Sequence, residues 1–225
     1  MIYIIDDFYP NPDEVRKNAL KMQFKRGKDS KGKVQHPGWR ANTNFSLDPF
    51  WRENRMYLRN RWSQIINKEI WAWEKMHCNC AFNLGFSDLE NRFSWVHSDN
   101  SLTDKAAEKI IMWACVIYLT PNPPPKTGTL LLESPESGIW DMKVKDQPKD
   151  KRDKYFPAVR GNFWDNPVAL NKEWKVHTIV GNRYNRCVFY DARLLHAPED
   201  AGFGKTLEEG RLTQLGFWFS EKNYI

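Results

Sequence analysis

Apolar positions set two rhythms along this chain, and the change from one to the other falls near residue 75. A four-residue apolar run, IYII at 2–5, comes first. Asn11-Pro12 followed by Asp13 and Glu14 then predicts a helix start: Asn caps, Pro fits the first turn, and acids meet the positive end of the helix dipole. This helix is expected to reach about Met22. Asp48-Pro49 opens a second helix, in which Trp51, Leu58, Trp62, Ile65 and Ile66 recur at near-helical spacing through about Ile70. Residues 26–47 between them read as a polar, glycine-containing loop.

Beyond Glu74 the period shortens to two. Cys78, Cys80, Phe82, Leu84 and Phe86 alternate with other residues, as in a strand with one buried face. Further strands are predicted at 91–97, 111–119, 128–133, 174–180, 186–190 and 211–219, divided by Gly, Pro and Asn turns. Two helices followed by about seven strands imply a mainly β protein, an antiparallel sandwich or jelly roll with the N-terminal helices packed on one sheet. A single domain over 1–225 follows, helical to about residue 75 and β-rich over 76–225. Residues 134–173 are too long for a hairpin turn and carry Trp140, Tyr155, Phe156, Phe163 and Trp164. They are expected to form a mobile lid or rim at the mouth of a site.

Composition narrows the class. Aromatics are 14% of the 225 residues and 11 are Trp, which suits pocket walls built from flat side chains. The 34 Lys and Arg exceed the 28 Asp and Glu by six, which favours anionic partners. The densest charged run, 143–154, mixes both signs and reads as a solvated loop, so nucleic acid is not the favoured partner. Cys78, Cys80, Cys115 and Cys187 show no CxxC or zinc spacing and are expected to be reduced core thiols. No 18-residue apolar stretch and no basic-flanked leader is seen, so a cytoplasmic protein without a membrane partner is expected.

The residues that carry chemistry fall in three places: His97-Ser98-Asp99, His196, and Arg211-Leu212-Thr213 at the head of the last strand. A lone HxD is weak, since acids are common here. The set is stronger, because a ferrous ion takes imidazoles plus one carboxylate with positions left open. Residues i and i+2 of a strand point the same way, so His97 and Asp99 can converge while His196 arrives from a distant strand. Arg211 begins an otherwise apolar strand, where a guanidinium needs an anion. Thr213 shares its face. The competing readings are that the histidines are buried polar residues satisfied by Asp99 and backbone, and that Arg211 pairs with Glu208 or Glu209. His36, His77 and His177 read as structural or surface residues.

Through WVHSD (95–99), LLHAP (194–198) and RLT (211–213), the sequence resembles the 2-oxoglutarate and iron(II)-dependent dioxygenases, in particular the prolyl-4-hydroxylase-like branch. IYLTPNPPPKTGTL (117–130) and IIDDFYPNPDEVRKNAL (4–20) extend the likeness, which leaves 25–75 and 134–172 unplaced. The resemblance implies a double-stranded β-helix, iron(II) held by His97, Asp99 and His196, and 2-oxoglutarate held by Arg211 and Thr213 with Tyr118 as a further contact. It also implies molecular oxygen as co-reactant, ascorbate as a supporting reductant, and hydroxylation of a C–H bond in a small molecule, amino acid or peptidyl side chain. Related halogenases replace the carboxylate with a small residue, so Asp99 points to a halide-free oxidation. Two departures stand out: prolyl hydroxylases proper use Lys where this chain has Arg211, and 91–95 (NRFSW) lacks the tyrosine often found there. His36, Trp39 and Arg40, in the loop HPGWRANTN (36–44), are candidate substrate contacts. The alternatives are a non-catalytic metal-binding jelly-roll module and a nucleic-acid-modifying oxygenase. Oligomeric state is not readable from the sequence.

Overall fold

The computed structural model describes residues 1–26, 38–43, 48–72, 79–89, 96–99, 104–133 and 175–222. In chain order its elements are β1 (Ile2–Ile5), α1 (Pro12–Leu20), β2 (Trp39–Ala41), α2 (Pro49–Ile66), β3 (Phe82–Gly85), α3 (Asp104–Lys109), β4 (Ile110–Tyr118), β5 (Thr129–Glu133), β6 (Lys175–Val180), β7 (Cys187–Asp191), β8 (His196–Pro198) and β9 (Arg211–Glu221). The fold is mainly β. Both long helices start where their proline signals place them. Asp48 caps α2 by accepting the Phe50 N–H at 2.8 Å.

Both helices end earlier than their periodicity suggests. In α1 the last helical residue is Leu20, before Met22. In α2 Asn67 adopts a left-handed conformation, φ 51°, and Lys68 N–H returns to Ser63 O at 3.0 Å. Asn tolerates that backbone because its short polar side chain offsets part of the steric cost, so the helix closes four residues before Ile70. Ile70 is nonetheless fully buried, which is why it reads as in phase.

Two antiparallel sheets form the body, one ordered β1-β7-β4-β9-β3-β2 and the other β6-β5-β8. Strand alternation sorts the larger sheet into two faces. Trp113, Cys115, Ile117, Cys187, Phe189, Leu212 and Trp218 join Phe8, Val15, Ala19, Trp51, Leu58 and Trp62 in one core, so α1 and α2 cover this face. The indole of Trp62 stacks on Phe189 at 3.8 Å and 10°, and Trp113 stacks on Phe189 at 5.0 Å. The opposite face, with Met112, Ala114, Tyr118, Val188, Tyr190, Phe217 and Phe219, shares a second core with Leu131, Val180 and Leu194 from the region of the smaller sheet. The result is three layers: helices, large sheet, small sheet. Gly216 lets β4 and β9 close together, since a Cβ there would sit 2.6 Å from Cys115 Sγ.

A buried ring of hydrogen bonds pins the helical layer to β9. Tyr9 OH donates to Gln214 Oε1 (2.6 Å), Gln214 Nε2 to Asn54 Oδ1 (2.8 Å), and Asn54 Nδ2 back to Tyr9 OH (3.1 Å). Each partner satisfies another, so burial of the polar set costs little.

Several sequence expectations change. The N-terminal part is not purely helical, because β1 pairs with β7 and β2 with β3 at the two edges of the large sheet. The alternation from Cys78 does not mark one long strand: Cys80 takes φ 62° and pairing starts at Phe82. The short helix α3 lies in a charged stretch with no apolar stripe, and periodicity cannot find it. Cys80, Cys115 and Cys187 are buried free thiols. His36, His77, Cys78 and the expected lid at 134–173 lie outside the described residues. Among those residues no helix is long and apolar enough to cross a membrane.

Candidate metal centre

One short strand and a segment bridged to it bring the centre together. The short strand β8 pairs with β5 so that His196 opposes Leu131. His97 and His196 then exchange both backbone hydrogen bonds, at 3.0 and 2.9 Å, in an isolated bridge that adds His97 to the edge of the small sheet. Asp99 N–H donates to Ala192 O at 2.9 Å, which turns the chain toward β4 and β7. One ligand atom from each of His97, Asp99 and His196 lies within 4.8 Å of the others. His97 Nε2 is 3.7 Å from Asp99 Oδ1, and His196 Nε2 is 3.3 Å from Asp99 Oδ2. Two imidazoles and one carboxylate at this separation could hold a divalent transition metal.

The tautomer of His196 follows from its neighbours. Its Nδ1 is 2.9 Å from Leu194 O, and a carbonyl can only accept, so Nδ1 carries the hydrogen and Nε2 keeps the lone pair a metal needs. Burial raises the Asp99 pKa, but His196, His97 and a bond from Tyr190 outweigh it and hold the carboxyl at about 2. Burial would lower His196, yet the Asp99 carboxylate lifts it above its ordinary value. Tyr190 OH stands 3.0 Å from His196 Nε2 and 3.4 Å from Asp99 Oδ2. Burial and the Asp99 charge push this phenol well upward, so it remains a donor.

A second polar cluster lies on the face of the large sheet that also carries Tyr190, the neighbour of His196. Arg211 is 7% exposed, its Nε–H donates to Thr127 O at 3.0 Å, and its guanidinium carbon lies 5.6 Å from the Tyr118 ring centre. Thr213 opposes Tyr118 across β9 and β4, and Tyr118 OH meets Thr129 Oγ1 at 2.6 Å. Among the described residues no carboxylate is within ion-pair distance of Arg211, and Glu208 and Glu209 are exposed. The surface pairing weighed from the sequence is therefore not made. Burial pulls the guanidinium pKa down, opposed by Tyr118 and by the charges of Asp200 and Glu199. A buried guanidinium with one nitrogen on a carbonyl and no carboxylate is suited to a bound anion.

The transverse row through Thr213 continues outward. Tyr118 opposes Thr213, Thr213 opposes Asn83, and Asn83 opposes Arg40. Opposed residues share a face, so Arg40 lies on the face that carries Thr213 and Tyr118. Its Nε–H donates to Asn83 Oδ1 at 2.8 Å. Trp39 is turned the other way: it opposes Leu84, a member of the helix-side core. Alternation on β2 thus separates two residues that the loop reading grouped together. Sequence reasoning missed Tyr190, Asn83 and Thr129. Tyr190 stands six residues before His196, on the face of β7 that also carries Val188, and in the sequence it reads as an ordinary core aromatic.

Solved structures with a similar fold include prolyl hydroxylases and 2-oxoglutarate-dependent non-heme oxygenases. A prolyl hydroxylase from Trichoplax adhaerens, in complex with a hypoxia inducible factor peptide, is 15% identical with TM-score 0.52, covering 98% of this chain and 83% of that one. HygX from Streptomyces hygroscopicus, with nickel and 2-oxoglutarate bound, is 12% identical with TM-score 0.56, covering 97% and 82%. The carbocyclase SnoK of nogalamycin biosynthesis is 14% identical with TM-score 0.56, covering 97% and 79%. At these identities the likeness is one of fold. Residues 1–218 match the profile of DUF6445, a family of unknown function, and the chain belongs to that family. No curated protein matches the sequence.

Proposed function

We propose that the chain is an iron(II)- and 2-oxoglutarate-dependent oxygenase on a double-stranded β-helix, hydroxylating a C–H bond of a small molecule, amino acid or peptidyl side chain. The observation that carries this reading is the presence of two sites, one on each sheet: a two-histidine, one-carboxylate cluster at the small sheet and, on the face of the large sheet that carries Tyr190, a buried guanidinium with no carboxylate partner among the described residues. The first fits iron, and the second fits the distal carboxylate of a dicarboxylic keto acid. HygX, a fold relative, holds nickel and 2-oxoglutarate.

In this reading His97, Asp99 and His196 hold the metal. Iron bound there with 2-oxoglutarate would supply oxygen activation, for an overall conversion of keto acid, oxygen and a substrate C–H bond into succinate, carbon dioxide and hydroxylated substrate. The protein's own part is placement. Leu194 O fixes the His196 ring, Thr127 O fixes the plane of Arg211, and Thr213 and Tyr118 add hydroxyls beside it. Met112, Phe217 and Leu131, packed between the sheets, would help keep water from the inner face.

Arg40, rather than Trp39, is proposed to face substrate, and a guanidinium there selects a substrate with an acidic group. Succinate release tests the function. Purified protein with iron(II), 2-oxoglutarate, oxygen and ascorbate should form succinate slowly alone and faster with the right anionic metabolite or peptide. No succinate under any condition would leave a metal-binding module without turnover.

A further inference from the structure

We propose that Tyr190 is a positioning residue of the metal centre, its hydroxyl holding one oxygen of Asp99 so that the carboxylate meets the metal through the other. This rests on the metal reading above. Tyr190 is wholly buried on β7, its ring lies edge-on to His196 at 4.9 Å and 63°, and its cross-strand neighbours are Ile2 and the small Ala114. Among the described residues its hydroxyl has two acceptors, His196 Nε2 at 3.0 Å and Asp99 Oδ2 at 3.4 Å.

Those acceptors are not equivalent once metal binds. His196 Nδ1 is committed to Leu194 O, so Nε2 is the atom that ligates, and its lone pair is then lost to Tyr190. A buried hydroxyl cannot turn to water, and leaving it unpaired is costly. Asp99 Oδ2 is the acceptor that remains. The other oxygen, Oδ1, is the one nearer His97 Nε2, at 3.7 Å. Rotation of a single O–H thus passes its hydrogen bond from one ligand to the other as metal enters. One-oxygen binding by Asp99 leaves the positions that a chelating cosubstrate and oxygen require.

Tyr190→Phe removes only the hydroxyl and keeps the ring. Cobalt(II) would be titrated into the metal-free full chain, wild type and variant, and followed by calorimetry and by visible d–d absorption. The expected result is cobalt affinity weaker by about tenfold to a hundredfold, the usual cost of losing a hydrogen bond to a metal ligand, with an altered d–d band. Val188→Ala, which thins the same core without touching the ligands, should keep the wild-type band. Equal affinity and an equal band in Tyr190→Phe would overturn the proposal, as would the same spectral change in Val188→Ala. If wild type binds no cobalt, the metal reading falls as well, so the two failures are distinguishable.

Discussion

His97 and His196 face each other across a single antiparallel bridge, N–H to O in both directions, with ring centres 4.2 Å apart. The backbone therefore sets the spacing of the two proposed ligands before any metal binds. Replacing His97, Asp99 or His196 by Ala leaves those backbone bonds in place. Each variant should fold with a near-native circular dichroism spectrum and lose iron(II) binding. Retained affinity in one variant would remove that residue from the ligand set.

Arg40 and Asn83 extend the inner-face row away from Thr213. Arg40→Ala should weaken the apparent affinity for an acidic substrate, read as KM, by about tenfold to a hundredfold, the worth of a charge-assisted hydrogen bond of roughly 1.5–3 kcal/mol. The Michaelis constant for the keto acid should not move. A variant in which both constants rise together would place Arg40 in the cosubstrate site instead.

Most of the layer plan was legible in the chain because it rests on short-range rules. Proline and acid signals at Asn11 and Asp48 place both helix starts, and apolar segments divided by Gly, Pro and Asn turns mark β4, β7 and β9. What escaped depends on partners distant in sequence. β2 is three residues long and exists through β3, while β8 exists through β5 and His97. His97, Asp99, His196, Arg211 and Thr213 were visible as residue types suited to a metal and an anion. Tyr190 was not, since an aromatic in a strand reads as core until its hydroxyl is seen to lie between His196 and Asp99.

Asp6 couples the N-terminus to the turn between β6 and β7. It accepts from Arg186 Nε at 2.6 Å and from Arg183 at 2.8 Å, and the Arg186 hydrogen bond is the largest of the influences that lower its pKa. Because its folded value lies below its unfolded one, its contribution is full above the ordinary carboxylate value of 3.8 and is lost as pH falls through the folded value. Asp6→Asn should cost about 1 kcal/mol at neutral pH. The loss should shrink toward zero in acid. Denaturant unfolding of both proteins between neutral pH and about pH 3 measures the convergence, and a constant difference would contradict it.

The most direct test of the whole account is titration of 2-oxoglutarate into the anaerobic iron(II) protein, following the visible absorption of the keto-acid chelate. Wild type should develop the band and saturate. In Arg211→Ala the band should form with affinity weaker by about tenfold to a hundredfold, because charge-assisted bonds worth roughly 1.5–3 kcal/mol are lost. Arg211→Lys should recover only part, since an ammonium keeps the charge without the planar fork. Iron(II) affinity should be the same in all three. A wild-type protein that binds iron(II) but gives no band, or an Arg211→Ala variant that binds 2-oxoglutarate as wild type does, would contradict the account.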